Sequence, residues 1–305
     1  MAYRDDNIDP KVRFAVGAVN DKILGCLSTN DYTALEPLLC DELNKTQGTE
    51  FKTDMLPRLQ PALAGCKYRR LHEYYVTTTK SATPVHLAEP EPDAYEFNVN
   101  TRTKETYIAL VLADNKDYSM LLTFVYGKYD GKWKLNIMHV DDYSVKHKNA
   151  AALYEHSKQL EMKGHVLDAT AYASLAAKCT SPSNVYLKYK IAPEIKQYQQ
   201  RLDARLNSKY HFPIPVTALK SEPKILGLQY VYAEGPSTPL VSYKTSININ
   251  DTVTLKAENE KIHAEIGKVL HGLDKNNSVI MYHAYNDIPT GNGERRFGMM
   301  HRIKF

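Results

Sequence analysis

Cysteine is scarce. The chain has four in 305 residues, Cys26, Cys40, Cys66 and Cys179, and no two stand in a C-x-x-C pair. That spacing excludes a zinc ribbon or a dithiol redox motif, and so few thiols do not make a disulfide scaffold. They read as small buried hydrophobic side chains. Glycine (14) and proline (15) are too few for a collagen-like or low-complexity chain. Long hydrophobic runs are missing too. The longest is Met120-Leu121-Leu122-Thr123-Phe124-Val125-Tyr126, far short of the ~20 residues of a membrane helix, so no transmembrane segment is expected. The opening residues Met1-Ala2-Tyr3-Arg4-Asp5-Asp6 carry no charged-then-apolar leader. The chain therefore reads as soluble, and cytoplasmic unless an export signal or lipid anchor lies upstream.

Charge of one sign is also lacking. Thirty-nine Lys and Arg against thirty-five Asp and Glu give +4 and a pI near 8.6, below the value of about 9 that marks a nucleic-acid footprint. The basic residues are dispersed, the densest pieces being Lys67-Tyr68-Arg69-Arg70, Lys146-His147-Lys148 and Arg295-Arg296 with His301-Arg302, so no nucleic-acid partner is expected. No G-x-S-x-G, Walker A, dinucleotide fingerprint or EF-hand loop occurs, and no metal-ligand spacing. His72-Glu73-Tyr74-Tyr75-Val76 begins like a zincin helix but lacks the second histidine. No cofactor and no metal are expected.

What is present is ordinary globular material, 43% apolar and 24% charged, long enough for two domains or one with an appendage. Val12, Val16, Val19, Ile23 and Leu27 recur at helical spacing. Asn30 or Asp31 caps a second helix carrying Leu35, Leu38, Leu39 and Leu43, and a short third helix follows between Thr53 and Ala64. From Tyr68 the period is two, predicting strands over 68–79, 84–89, 94–102, 105–113, 118–128 and 132–143. Helical spacing returns at 149–178 and again at 185–207. Past Pro213, Pro215 and Pro223 lies a ββαββ pattern, with strands near 224–233, 239–249, 277–285 and 294–304 and a helix near 257–272. Three segments result: 1–146, a helical connector over 147–212, and 213–305. The fold class is α+β, with helices packed on a curved antiparallel sheet.

Asp130-Gly131 is the strongest hairpin signal. A regular ladder from that turn pairs Tyr126 with Leu135, Phe124 with Ile137, Leu122 with His139 and Met120 with Asp141. One face is then large and apolar, includes Trp133, and ends in His139 and Asp141. On the first strand, Tyr68, Arg70, His72 and Tyr74 alternate as a basic-aromatic strip able to grip an anion or stack a base, though a solvated strand face is the preferred reading.

Helices followed by a sheet that closes with Tyr126-Gly127-Lys128-Tyr129-Asp130-Gly131-Lys132-Trp133-Lys134-Leu135, and then Asp141-Asp142-Tyr143, resemble the NTF2-like superfamily over residues 10–146. The resemblance implies a concave sheet with a cavity beneath its helices, in a superfamily of isomerases, dehydratases, transport factors and silent modules. Residues 149–178 resemble a single tetratricopeptide-type hairpin, with Gly164 at the turn, Ala169 and Ala176 on the second helix and Pro182 after it.

Phe124, Tyr126, Trp133 and His139 are the candidate ligand-binding residues, and His139 with Asp141 the candidate catalytic pair, base and orienting carboxylate. Since no nucleophile, metal set or cofactor loop accompanies them, the preferred expectation is a non-catalytic ligand-binding or protein-interaction module. Its partner would be a small apolar ligand or another protein. The alternatives are a cofactor-independent isomerase, dehydratase or hydrolase, and an envelope-associated accessory scaffold.

Overall fold

The computed structural model describes residues 1–90, 94–233, 235–291 and 293–303. Their fold is α+β, and the chain groups into two compact units, Met1–Asn149 with Lys178–Ala192, and Ala150–Ala177 with Pro193–Phe305. The helical segment read from the sequence as a connector is thus shared between the two. Among the described residues no helix is long and apolar enough to cross a membrane.

The first unit begins with β1 (Ala2–Arg4) and α1 (Pro10–Thr29). Asp9 starts α1 by accepting from the Lys11 N–H at 2.8 Å with proline at the first position, and Asn30 ends it at φ 56°. Asp31 caps α2 (Tyr32–Leu35), accepting from Ala34 N at 3.0 Å. The single second helix expected there is broken by a 3-10 turn at Pro37, and α3 (Asp41–Glu50) restarts from Cys40. A π-helical turn over Phe51–Met55 joins α3 to α4 (Leu56–Leu63) without a gap.

β2 (Lys67–Thr77), β3 (Pro84–Ala88), β4 (Tyr95–Asn100), β5 (Glu105–Asp114), β6 (Tyr118–Tyr129) and β7 (Lys132–Val145) follow the predicted spans within two residues at nearly every end. A short strand, β8 (Leu187–Tyr189), stands where only helix was expected. The main sheet is antiparallel in the order β1-β2-β5-β6-β7, and a second sheet runs β3-β4-β8. One face of the main sheet lies under the helices. Val16, Ile23, Leu27, Leu35, Phe51 and Leu59 pack there on Tyr107, Val111, Leu122, Phe124, Tyr126 and Trp133. On the far face Tyr74 reaches the smaller sheet, its hydroxyl 2.8 Å from that of Tyr95 and bonded to buried Glu89.

The β6–β7 ladder departs from the regular register. Asp130 and Gly131 form the expected turn, both at positive φ, and pairing runs regularly from Tyr129 with Lys132 to Tyr126 with Leu135. Asn136 is then an extra residue. Val125 pairs with Ile137, Phe124 with Met138, Thr123 with His139, Leu122 with Val140 and Leu121 with Asp141. The expected pairs Phe124–Ile137, Leu122–His139 and Met120–Asp141 do not form. One inserted residue exchanges the two faces beyond it, so Met138 and Val140 join the core while His139 and Asp141 turn away from it. Trp133 and His139 lie on opposite faces. The bulge spares the core a histidine and a carboxylate and fills it with two apolar side chains.

Gly127 makes room for this arrangement. A Cβ there would stand 2.6 Å from Asn136 Nδ2 and 2.8 Å from Thr103 Oγ1, while Asn136 Oδ1 accepts from the Tyr129 hydroxyl at 2.8 Å.

In the second unit α5 (Ala150–Met162) and α6 (Val166–Lys178) form a hairpin around Gly164 at φ 81°, followed by α7 (Ala192–Lys209). Ser157 donates to the Ala169 carbonyl at 2.5 Å, an approach that the small residues permit. The strands β9 (Ile214–Pro215), β10 (Lys224–Ala233), β11 (Gly235–Lys244), β12 (Val279–Tyr285) and β13 (Phe297–Arg302) form one sheet in the order β13-β12-β11-β10-β9. β11 and β12 are parallel, with α8 (Thr252–Val269) as the crossover between them. Ile262, Ile266 and Leu270 pack on Val241, Ile280 and Tyr282. Buried Asp168 ties α6 to the segment after α8, accepting from Asn276 and Asn277 at 2.9 Å each. Burial pushes its carboxyl above the usual range, against those bonds.

Gly127→Ala is expected to lower the stability of the first unit by about 1–3 kcal/mol, the usual cost of forcing a methyl into a filled site. Urea unfolding followed by the fluorescence of Trp133, the sole tryptophan, measures it. An unchanged midpoint would show that the bulge does not depend on that glycine.

Candidate functional site: a cleft beneath the first helix

Small residues open a space between α1 and the main sheet. Gly17 and Ala18 stand on the helix, Ala109 lies on β5 opposite, and nothing lies within 4 Å of where a Gly17 Cβ would be. The cleft encloses about 690 Å³ and is walled by Val16, Leu24, Ala109 and Val111, with Tyr68, Arg70 and Glu73 from β2. Phe14, 81% exposed, stands on the rim. β1 pairs only with Tyr74–Val76, so it leaves the β2 edge beside the mouth uncovered.

A second bulge selects the β2 residues that face this space. Arg70 pairs with Val111 and His72 with Leu110, which makes Leu71 the extra residue. Tyr68 and Arg70 therefore share the covered face with Val111 and Ala113, whereas His72 and Tyr74 lie on the far face with Leu110 and Ile108. The four-residue strip expected from strict alternation does not exist.

Glu73 is the centre of the charge network. It is 5% exposed, and its Oε2 accepts from Arg13 Nε at 2.8 Å and from Arg70 Nη1 at 2.5 Å. Arg13 also reaches Asp6 at 2.8 Å. The Glu73 backbone N–H donates to Asp5 Oδ1 at 2.8 Å, and Asp5 Oδ2 lies 3.1 Å from His72 Nδ1 and 2.9 Å from Arg4 Nε. Burial acts to raise the Asp5 carboxyl, but that backbone bond, His72 and Arg4 together hold it below the usual range. Deeper in, the Tyr126 hydroxyl donates to Asn20 at 2.7 Å. The Tyr107 hydroxyl is buried, and burial together with the nearby Glu73 carboxylate raises its pKa far above that of a free phenol.

The residues singled out from the sequence fall elsewhere. Phe124, Tyr126 and Trp133 are core side chains packed under the helices and do not line this cleft, although Tyr126 touches its wall through Asn20. His139 and Asp141 are brought together on the far face, Nε2 to Oδ2 at 3.7 Å, an ion-pair distance rather than a hydrogen bond. The imidazole, with the Asp142 N–H, holds the Asp141 carboxyl below its usual range against burial. In the sequence Glu73 stands out only inside the incomplete zincin-like motif, and nothing marks Arg13. The available signal was a lone carboxylate at a strand position that should be apolar, where burial requires a cation. The cysteines are all free, Cys26, Cys40 and Cys179 buried, and burial pushes the Cys179 thiol up to about 12. Among the described residues no group of three or more His, Cys, Asp or Glu is placed to hold a metal ion.

No family model matches the sequence, and no curated protein does. Among solved structures it is similar to a provisionally assigned dehydratase of the NTF2-like family from Streptomyces avermitilis. The two are 12% identical, the match spans 43% of this chain and 96% of that one, and the TM-score is 0.21.

Glu73→Gln keeps the shape but strips two guanidiniums of their shared countercharge. The expected loss of stability is about 1–3 kcal/mol, less than the about 3–5 of a fully buried pair because both arginines keep some access to water. Urea unfolding of the two proteins checks it, and equal midpoints would remove Glu73 from the centre of the network.

Proposed function

We propose that this chain is a ligand-binding module without catalytic activity, and that the cleft beneath α1 takes a small, largely apolar molecule. The supporting observation is the arrangement of its wall. Apolar residues such as Val16, Leu24, Ala109 and Val111 line it together with polar Asn20, Asp21 and Arg69, and its one buried carboxylate, Glu73, is already shared between Arg13 and Arg70. Such a lining gains by excluding water and has its buried charge committed to holding the fold.

Gly17→Leu tests the assignment. The new side chain would fill the cleft, while leucine adds up to about 1 kcal/mol of helix propensity over glycine, so the fold should hold. Titration with the neutral fluorophore N-phenyl-1-naphthylamine is expected to show at least tenfold weaker binding by the variant at an unchanged or higher Tm. Equal affinities would overturn the reading.

One observation favours a second reading, a cofactor-independent isomerase, dehydratase or hydrolase: the close approach of His139 to Asp141, which suits a base and its orienting carboxylate. Neither residue lines the cleft. On the binding-module reading, His139→Ala and Asp141→Ala each leave the fluorophore affinity within a few fold. Turnover of a screened substrate that vanishes in either variant, with circular dichroism unchanged, would favour the enzyme instead.

A further inference from the structure

The second unit holds a group of titratable side chains that the cleft does not use. α8 presents Asn259 and His263 one turn apart, β12 presents Tyr282, and β13, at the edge of its sheet, presents His301. The rings of His263 and His301 stack with centroids 4.3 Å apart and planes 16° from parallel. Tyr282 stands edge-on to both. Each imidazole has a neutral polar partner: His263 Nδ1 lies 2.8 Å from the Tyr282 hydroxyl, and His301 Nε2 lies 2.7 Å from Asn259 Oδ1. The amide oxygen only accepts, so His301 carries a proton on Nε2.

We propose that the His263–His301 stack is an acid-sensitive clamp that holds the edge strand β13 against α8, closed while both rings are neutral and released when acid charges them. Two neutral imidazoles stack at this separation without penalty, whereas two imidazolium ions repel in a half-buried layer. The surroundings offer little relief. On α8, Glu260 acts on His301 only at a distance, and Glu258 is engaged by Ser221 at 2.7 Å. Asp274, after α8, acts on His263 without bonding to it, its Oδ1 buried and unpartnered. β11 contributes Tyr243 and β12 contributes Tyr282, both neutral phenols. Burial holds both histidines below the ordinary value, and for His263 the neighbouring ring adds to this. The sign follows: the open state binds protons more readily than the closed one. The clamp's contribution is therefore complete above the ordinary histidine pKa of about 6.5 and is lost as pH falls through the lowered values.

Hydrogen exchange of the full chain at pH 7.5 and pH 5.0, corrected for the intrinsic rate, tests the clamp. Protection over 252–269 and 297–303 is expected to fall at least tenfold at the lower pH, up to the limit of tenfold per pH unit for each proton taken up. In His301→Gln, which keeps a donor for Asn259 but cannot charge, the fall should shrink to less than threefold. His263→Phe, which keeps a ring in the stack, should do the same and stands in if the first variant does not fold. Equal wild-type protection at the two pH values would overturn the proposal. A fall that persists undiminished in either folded variant would also overturn it, by assigning the effect to other groups of the second unit such as His156, His165, His211, His271 or His283.

Discussion

Each strand position has only two directions to point, and a single inserted residue reverses the choice for everything beyond it. In the main sheet this happens at Leu71, Asn136 and Tyr143, and most of the chemistry of the first unit follows from the first two of these insertions. The bulge at Leu71 sends Arg70 to the helix-covered face, where Glu73 also lies, and His72 to the other. The bulge at Asn136 sends Met138 and Val140 inward and His139 outward. Both insertions place apolar or mutually paired groups where water is excluded, the arrangement with the smaller desolvation cost.

The cleft follows from the same economy of volume. A core helix normally fills its groove on the sheet with large side chains, as α1 does with Val16, Ile23 and Leu27. Along the stretch facing β2 it carries Gly17 and Ala18 instead, and β5 answers with Ala109. The space left is bounded by Arg13, Arg70 and Glu73, which belong to a network with Asp5 and Asp6 that also anchors the N-terminal strand. The wall of the cleft and the local stability of the first unit therefore share residues.

The second unit solves a similar problem differently. Its crossover helix meets the sheet through an apolar stripe, Ile262, Ile266 and Leu270, interrupted by Asn259 and His263. Those polar residues are satisfied by Tyr282 and His301 on the strands. His301 occupies an inward position of the alternation that Phe297, Met299 and Ile303 define, so the strand pattern marked the site of a buried partner even though it did not name one.

Length, composition and periodicity determined the α+β class and the limits of β2 to β7 within two residues, because backbone conformation follows local patterning and turn chemistry, whereas the short strands β1, β8 and β9 went unseen and β11 begins four residues before, and ends five residues before, the span its pattern predicts. The Asp130-Gly131 turn and the Asp31 cap were legible for the same reason: each is decided by two or three adjacent residues. The faces of β2 and β7 were not, since a bulge is stabilised by groups distant in sequence, as Asn136 is by Gly127 and Tyr129. Nor was the pairing of Glu73 with Arg13, sixty residues apart, or of His263 with His301. Local sequence sets which conformations a segment prefers. Which side chains meet across the core depends on packing, and only the folded chain brings those partners within a few ångströms of each other.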